Sequence, residues 1–242
     1  SLLHDDVVDE SDLRRGKPTA CFKWGNSAAV LVGDFMYSRA FQLMVKTKNL
    51  RICEIVSGAV NRVSEGEVIQ LLNIHDTTVD EKRYFEVIER KTGVLFEAAA
   101  RMAATIGGAT KEEEEKLTEY ALALGTAFQI IDDVLDYRGD EGKTGKALGA
   151  DLREGKMTMP LIYALRKCSE EQAKEIKEAV KRGEGDLNSI TRILEETGAI
   201  EECVLTAKQI VSSGIDAISF LKPSLYKESL IKLLSLTVER DL

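Results

Sequence analysis

Apolar residues recur at intervals of three and four positions over most of the chain, which is the spacing of amphipathic helices. The pattern predicts one helix over 27–45, a second over 49–74 and a third over 80–107. A break in the third helix is expected near 91–93, because a β-branched residue and a glycine follow each other there. Such a break brings polar groups into the interior of a helical bundle.

Glycines mark two long loops, which are predicted over 11–26 and 139–156. Between them, Thr110 and Glu113 form a capping-box sequence that begins a fourth helix continuing to Leu135. The remainder of the chain is predicted to form shorter helices, at about 160–167, 169–182, 187–197, 199–221 and 224–239.

The composition favours a single all-α domain over residues 1–242. Of the 242 residues, 44% are hydrophobic, 31% are charged and only three are proline. The formal net charge of −8 argues against a nucleic-acid partner and, by itself, against an anionic substrate, although bound divalent cations reverse that second conclusion. The four cysteines lie far apart, so neither a zinc site nor a disulfide framework is indicated, and a cytoplasmic location is expected.

Two clusters of the form Asp-Asp-x-x-Asp carry the strongest chemical signal, and their members are Asp5, Asp6, Asp9, Asp132, Asp133 and Asp136. On a helix, the first and last aspartates of each cluster are four positions apart and project from one face. Like charges at that spacing repel, whereas a hard cation such as Mg²⁺ binds carboxylate oxygens. The alternative is a pair of solvated acidic helix faces. The apolar sequence before each cluster argues against it.

The residues around the two clusters extend the signal. The further motifs are Leu3-His4, Arg14-Arg15-Gly16-Lys17-Pro18-Thr19, Lys91-Thr92, Phe128-Gln129, Gly145-Lys146, and Asp151 to Lys156 followed by Thr158 and Pro160. Together with the clusters, they closely resemble the trans-polyprenyl diphosphate synthases over essentially the whole chain. The resemblance implies the all-α isoprenoid synthase fold, a helical bundle around a deep cavity with the aspartate clusters facing each other at its mouth.

That resemblance also implies an activity and a set of ligands. A prenyltransferase of this family ionises an allylic diphosphate, adds isopentenyl diphosphate and releases pyrophosphate, with Mg²⁺ as cofactor. The resemblance implies that Asp5, Asp9 and Asp132 are the metal ligands, because cations stabilise the charge on the departing pyrophosphate. Three further aspartates are implied to act through water or by supporting the ligands, namely Asp6, Asp133 and Asp136.

The basic residues are implied to bind the two diphosphates. Arg14, Lys91 and Lys146 are expected to hold the allylic diphosphate, and Arg14 and Lys91 join the metal ligands in the catalytic set. Arg15 is expected to hold isopentenyl diphosphate, since its planar fork bonds phosphate oxygens in pairs. Thr92 and Gln129 are expected to add neutral hydrogen bonds. Lys156 is expected to help close the loop. The alternatives to diphosphate binding are simpler structural roles, such as solvated surface lysines and a buried hydrogen bond made by Gln129.

Product length is expected to depend on where the growing tail meets the cavity wall. Ser1 lies four positions before Asp5, one helical turn earlier, and is the first expected gate. Its small side chain predicts a product near forty carbons. Met44 and Val56 are candidates for the far wall, with an ordinary core role as the alternative.

Two other functions compete with this interpretation. A terpene cyclase on the same fold is disfavoured by the second Asp-Asp-x-x-Asp cluster and by Arg14-Arg15. A non-catalytic regulatory subunit of a heteromeric synthase is disfavoured by the intact aspartates. The family carries two helices before the first cluster, so we expect upstream sequence to be missing here. A homodimer through the 27–74 helices and a peripheral membrane contact for product release are also expected.

Overall fold

The computed structural model describes residues 1–14, 16–138 and 148–239, and these are mostly helical. The elements of the first part are α1 (Leu2–Val8), β1 (Leu13–Arg14), β2 (Lys17–Pro18), α2 (Ala20–Trp24), α3 (Asn26–Lys46), α4 (Leu50–Asn73), α5 (Glu81–Ile88), a π-helical turn (Glu89–Gly93) and α6 (Val94–Gly107). Those of the second part are α7 (Lys111–Arg138), α8 (Ala150–Arg153), α9 (Met159–Ala164), α10 (Glu170–Arg182), α11 (Leu187–Glu196), α12 (Ala199–Ala217) and α13 (Leu225–Val238).

Helix α7 is the central element of the bundle and packs mainly against α6 and α12. Ile130, Ile131 and Val134 in its second half are fully buried. Its start has the predicted capping box, because Thr110 N donates to Glu113 Oε2 and Glu113 N donates to Thr110 Oγ1. The second aspartate cluster therefore lies on a long helix anchored at its start and buried toward its end.

The predicted break at 91–93 is confirmed as the π-helical turn between α5 and α6. Two glycines let neighbouring helices approach it closely. A Cβ on Gly66 of α4 would lie 2.9 Å from Lys91 N, and a Cβ on Gly125 of α7 would lie 2.8 Å from Gly93 Cα. Both distances are shorter than real side chains tolerate, so the absence of a Cβ permits the packing. The turn is thus held from two sides, and this fixes the backbone of Lys91.

The prediction of a loop over 11–26, after the first aspartate cluster, is wrong in part, because this segment contains the β1–β2 hairpin and α2. Thr19 organises this segment: its hydroxyl donates to Ser11 O and accepts from Phe22 N, which caps α2. Arg14 in β1 pairs with Asp6 of α1. The hairpin depends on the contact of Arg14 with α1 and on the hydrogen bonds of Thr19 to the segments that flank the hairpin. The glycines and the proline of this segment do not by themselves predict these contacts.

The second predicted loop, 139–156, contains the single turn of α8. Residues 139–147, including Lys146, lie outside the described residues, as does Arg15. After Pro160 the predicted helices are confirmed, each end within four residues of the observed one. Ser169 forms a capping box with Gln172, and Ser224 accepts a hydrogen bond from Lys227 N.

Helix α3 presents apolar side chains to solvent. Leu31 and Phe35 are each 67% exposed, and Met36 and Val45 are exposed as well. A contiguous apolar surface of this kind is typical of an interface rather than of a free helix. No helix in the described part of the chain is both long and apolar enough to cross a bilayer.

Replacing Gly66 by Ala tests the close approach of α4 to the π-helical turn. We expect a loss of about 1–3 kcal/mol in the free energy of unfolding, because the new methyl group collides with backbone. Gly58→Ala on the same helix is the control. Its Cβ meets nothing within 4 Å, so it should stabilise by about 0.5–1 kcal/mol through helix propensity. Urea denaturation measures both; equal effects of the two changes would contradict the proposed packing.

Candidate active site

One cavity of about 1130 Å³ brings the two aspartate clusters together. Asp5 and Asp9 line it from α1, and Asp132 lines it from the C-terminal half of α7. Asp9 follows the last residue of α1 and its N–H donates to Asp5 O, so the two carboxylates are one helical turn apart. Carboxylates separated by 123 residues in sequence thus face a common space.

The other aspartates of the clusters are engaged with protein groups. Asp6 is 3% exposed and accepts a 2.6 Å hydrogen bond from Arg14 Nε. Asp136 accepts hydrogen bonds from the backbone N–H groups of Ala150 and Asp151, at 3.1 and 3.0 Å, and so holds the first turn of α8. These two carboxylates order the segments around the cavity, and Asp136 also lines it.

Asp133 lies at the centre of a chain of hydrogen bonds in the wall of the cavity. Thr92 Oγ1 donates to Gln129 Oε1 at 3.1 Å, and Gln129 Nε2 donates to Asp133 Oδ1 at 2.8 Å. Tyr84 OH donates to Asp133 Oδ2 at 2.6 Å. Burial raises the pKa of Asp133 to about 7, against the opposing effect of the Tyr84 and Gln129 hydrogen bonds. The network joins the π-helical turn to the second aspartate cluster.

Three basic side chains line the cavity among the described residues, and each has a carboxylate partner. Arg14 pairs with Asp6 as above, and Lys91 Nζ lies 2.9 Å from Glu67 Oε2. Lys156 pairs with Glu154 and lies 4.0 Å from Asp151 Oδ1. Burial alone would lower the pKa of Lys156, but Asp151 and Glu154 raise it above its ordinary value. The ammonium therefore stays charged inside the cavity.

Several contributors to the site were not assigned a role from sequence. Glu67 and Tyr84 line the cavity, and so does Asp151, whose pKa is raised well above its usual range by burial and by the nearby charges of Asp133 and Asp136. Asp151 stands in a motif that the sequence does show. The roles of Glu67 and Tyr84 are recognisable only when their partners are known. The partner of Glu67 is Lys91, 24 positions away, and that of Tyr84 is Asp133, 49 positions away.

His4 fastens α1 to α3. Its Nε2 lies 3.1 Å from Val30 O and 3.2 Å from Asp34 Oδ1, and the ring packs beside Gly33. The structure therefore directs this ring toward α3 and not among the residues that line the cavity. This contact holds the first aspartate cluster in place.

The apolar part of the cavity extends away from the aspartates. Ser1 lines it, as predicted for a gate near Asp5, whereas Met44 and Val56 are not among the lining residues. The apolar lining includes Val63 of α4, Leu95 and Phe96 of α6, and Phe128 of α7. The rings of Phe96 and Phe128 have centroids 6.3 Å apart.

The donor set suits a hard divalent cation, since carboxylate oxygens from α1 and α7 face one cavity. Within the described residues, no group of three His, Cys, Asp or Glu side chains is close enough to hold a metal ion by itself. A cation here would be held between two carboxylate faces, and a diphosphate oxygen is a suitable further ligand.

A family model described as "Polyprenyl synthetase" matches residues 1–197. The chain belongs to the polyprenyl synthetase family. It is 46% identical to an octaprenyl diphosphate synthase of Escherichia coli, over all of this chain and 75% of the relative. It is 41% identical to a Rhodobacter capsulatus all-trans-nonaprenyl-diphosphate synthase, over 99% of this chain and 74% of the relative.

The solved structures agree with the family assignment. A polyprenyl synthase from Caulobacter crescentus, complexed with calcium and isoprenyl diphosphate, has a TM-score of 0.95 and 38% identity, over 100% of this chain and 74% of that one. The expected all-α isoprenoid synthase fold is confirmed, and the chain is a polyprenyl diphosphate synthase rather than a cyclase. The resemblance to trans-polyprenyl diphosphate synthases that the sequence motifs indicate is confirmed, and the relatives of 45–46% identity over the full chain are octaprenyl diphosphate synthases.

Tyr84→Phe tests the hydrogen bond to Asp133. We expect a loss of about 1.5–3 kcal/mol in unfolding free energy, because a buried carboxylate loses a donor. Turnover should also fall, since Gln129 and Asp133 lose their fixed geometry. Tyr120→Phe is the control: its hydroxyl donates to Leu230 O away from the cavity, so it should cost about 1 kcal/mol with turnover intact. If the two variants have the same turnover, the network does not support catalysis.

Proposed function

We propose that the chain, as one polyprenyl synthase domain over 1–242, condenses isopentenyl diphosphate with an allylic diphosphate in a Mg²⁺-dependent reaction. The proposed product is all-trans octaprenyl diphosphate, the precursor of a ubiquinone side chain. One observation carries the proposal: aspartates from two distant helices and three basic residues line a single cavity that continues into an apolar end. The 46% identity to an octaprenyl diphosphate synthase supports the product assignment.

In this proposal Asp5, Asp9 and Asp132 hold Mg²⁺, while Asp6, Asp133 and Asp136 keep the surrounding segments in place. Mg²⁺, when bound, neutralises the negative charge that develops on the departing pyrophosphate. The protein contributes preorganisation, because α7 is buried over its second half and α1 is fastened by His4. The first and second aspartate clusters are therefore each held on an anchored helix.

The basic residues orient the two diphosphates. We propose that Arg14 and Lys91 bind the allylic diphosphate, with hydrogen bonds from Thr92 and Gln129. Lys156 is proposed to help close the loop that contains α8. Lys146 and Arg15, which lie outside the described residues, are proposed to bind the allylic diphosphate and isopentenyl diphosphate respectively. No side-chain base is needed if the released pyrophosphate accepts the proton.

The apolar end of the cavity accommodates the growing tail. On α4 the lining runs from Asn73 to Val63, which is about 15 Å at the rise of an α-helix. A forty-carbon tail is longer: each prenyl unit adds four bonds, or about 5 Å when extended, giving about 40 Å. The tail must therefore pass beyond Val63. Val56 lies two turns further along α4, on the same side, and we retain it with Met44 as the proposed far wall.

The proposed assembly is a homodimer that buries the exposed apolar face of α3 together with α4. A peripheral membrane contact would receive the apolar product. The four cysteines are free thiols, which supports the proposed cytoplasmic location. Nucleic acid is not a proposed partner, given the net charge of −8.

Asp132→Ala tests the proposed reaction. We expect turnover to fall by at least about a thousandfold, because a metal ligand stabilises the transition state by several kcal/mol. The assay incubates protein with labelled isopentenyl diphosphate, an allylic diphosphate and Mg²⁺, and separates the products by chromatography. Asp216→Ala, at an exposed position of α12, is the control and should keep full activity. An Asp132→Ala variant within tenfold of the wild type would remove Asp132 from the ligand set.

Ser1→Phe tests the position of the tail. Ser1 lines the cavity beside Asp5, so an aromatic ring there should overpack the tail and shorten the product to about fifteen or twenty carbons. Ser212→Phe, at an exposed position of α12, is the control and should leave the length unchanged. Chromatography of the product sets decides the question: an unchanged length at comparable activity in Ser1→Phe means that the tail runs elsewhere.

A further inference from the structure

Lys91 and Glu67 form an ion pair inside the cavity. The ammonium lies 2.9 Å from the carboxylate, the side chains are 27% and 30% exposed, and both residues line the cavity. Their backbones have little freedom, because the neighbouring Gly66 lies directly against the backbone at Lys91. The packing between α4 and the π-helical turn therefore fixes the backbone positions from which the two side chains meet.

A carboxylate at this position is unexpected in a cavity that has to bind diphosphates. Glu67 adds negative charge next to one of the few cations available to a substrate, and its distance from Lys91 is that of a direct hydrogen bond. A diphosphate oxygen that binds Lys91 has to take the place of the carboxylate. Glu67 then remains in the cavity as a like charge, which opposes diphosphate binding.

A second pair of the same kind lies on the neighbouring residues but outside the cavity. Arg90 Nη1 lies 2.6 Å from Glu65 Oε2, again between the π-helical turn and α4. Neither residue lines the cavity. The two pairs cross-link the same elements, so α4 and the turn do not depend on the Lys91–Glu67 pair for their connection.

We propose that Glu67 is a displaceable counter-ion that occupies Lys91 until a diphosphate replaces it. Glu67 is then a positioning residue: it holds the ammonium at the cavity surface and lowers the affinity of the empty site for anions. Because the like charge remains after displacement, tight diphosphate binding also depends on the divalent cation. This inference rests on the proposed role of Lys91 in diphosphate binding.

The test measures binding of inorganic pyrophosphate in the presence of Mg²⁺ by calorimetry, with the full chain. Glu67→Gln keeps the shape and the acceptor oxygen but removes the charge. We expect it to bind pyrophosphate about five- to tenfold more tightly, the effect of removing about 1 kcal/mol of repulsion. Glu65→Gln, which removes the same charge outside the cavity, should leave the affinity unchanged. In the activity assay with labelled isopentenyl diphosphate, Glu67→Gln should lower the KM for the allylic diphosphate without raising kcat.

Unchanged or weaker pyrophosphate binding by Glu67→Gln would overturn the inference, since Glu67 would then support Lys91 or a metal ion instead of competing with the diphosphate. Failure of Glu67→Gln to fold would overturn it too, because a displaceable partner has to be dispensable for the fold. Lys91→Met separates this result from the proposed function. If wild type does not bind pyrophosphate, or Lys91→Met binds it equally well, the assignment of Lys91 itself fails.

Discussion

The structure depends on how the chain accommodates many carboxylates around one cavity. Asp5, Asp9 and Asp132 face the same space, and further acidic residues line the same cavity. In a chain of net charge −8, such crowding is unfavourable unless each group finds a cation, a hydrogen-bond donor or a proton. All three solutions occur. Arg14 neutralises Asp6, backbone N–H groups bind Asp136, and burial raises the pKa of Asp133 toward neutrality. In the proposed function, a divalent cation would complete this series for the carboxylates that face the cavity.

The scaffold explains why these groups stay together. Helix α7 is buried over its second half, so the second cluster cannot turn toward solvent. The π-helical turn is held by close approach to Gly66 and Gly125, which fixes the position of Lys91 and Thr92. Thr92 in turn donates to Gln129 on α7. Packing between helices thus determines the geometry of the polar site, and a methyl group at either glycine would change both together.

The fold could largely be predicted from sequence because its signals are local. Helix periodicity, the Thr110 capping box and the break at 91–93 depend on neighbouring residues. The aspartate clusters were equally visible, since their spacing is contained in one helical turn. The β1–β2 hairpin was missed because it needs Arg14 to reach Asp6 on another element. The roles of Glu67 and Tyr84 depend on partners on distant segments, which no local pattern predicts without a three-dimensional structure.

The three cation pairs in the cavity differ in how easily they can be opened. The side chain of Asp6 is only 5% exposed in its pair with Arg14, so separating the two would leave a buried charge without a partner. Lys156 faces two carboxylates, Glu154 and Asp151, so a diphosphate would have to replace both of them. Glu67 is 30% exposed, so water can solvate it as soon as Lys91 leaves. If these residues bind diphosphate as proposed, the exchange of a carboxylate for a diphosphate would cost least at Lys91, whereas Arg14 would bind an incoming phosphate with its remaining N–H groups and still hold Asp6.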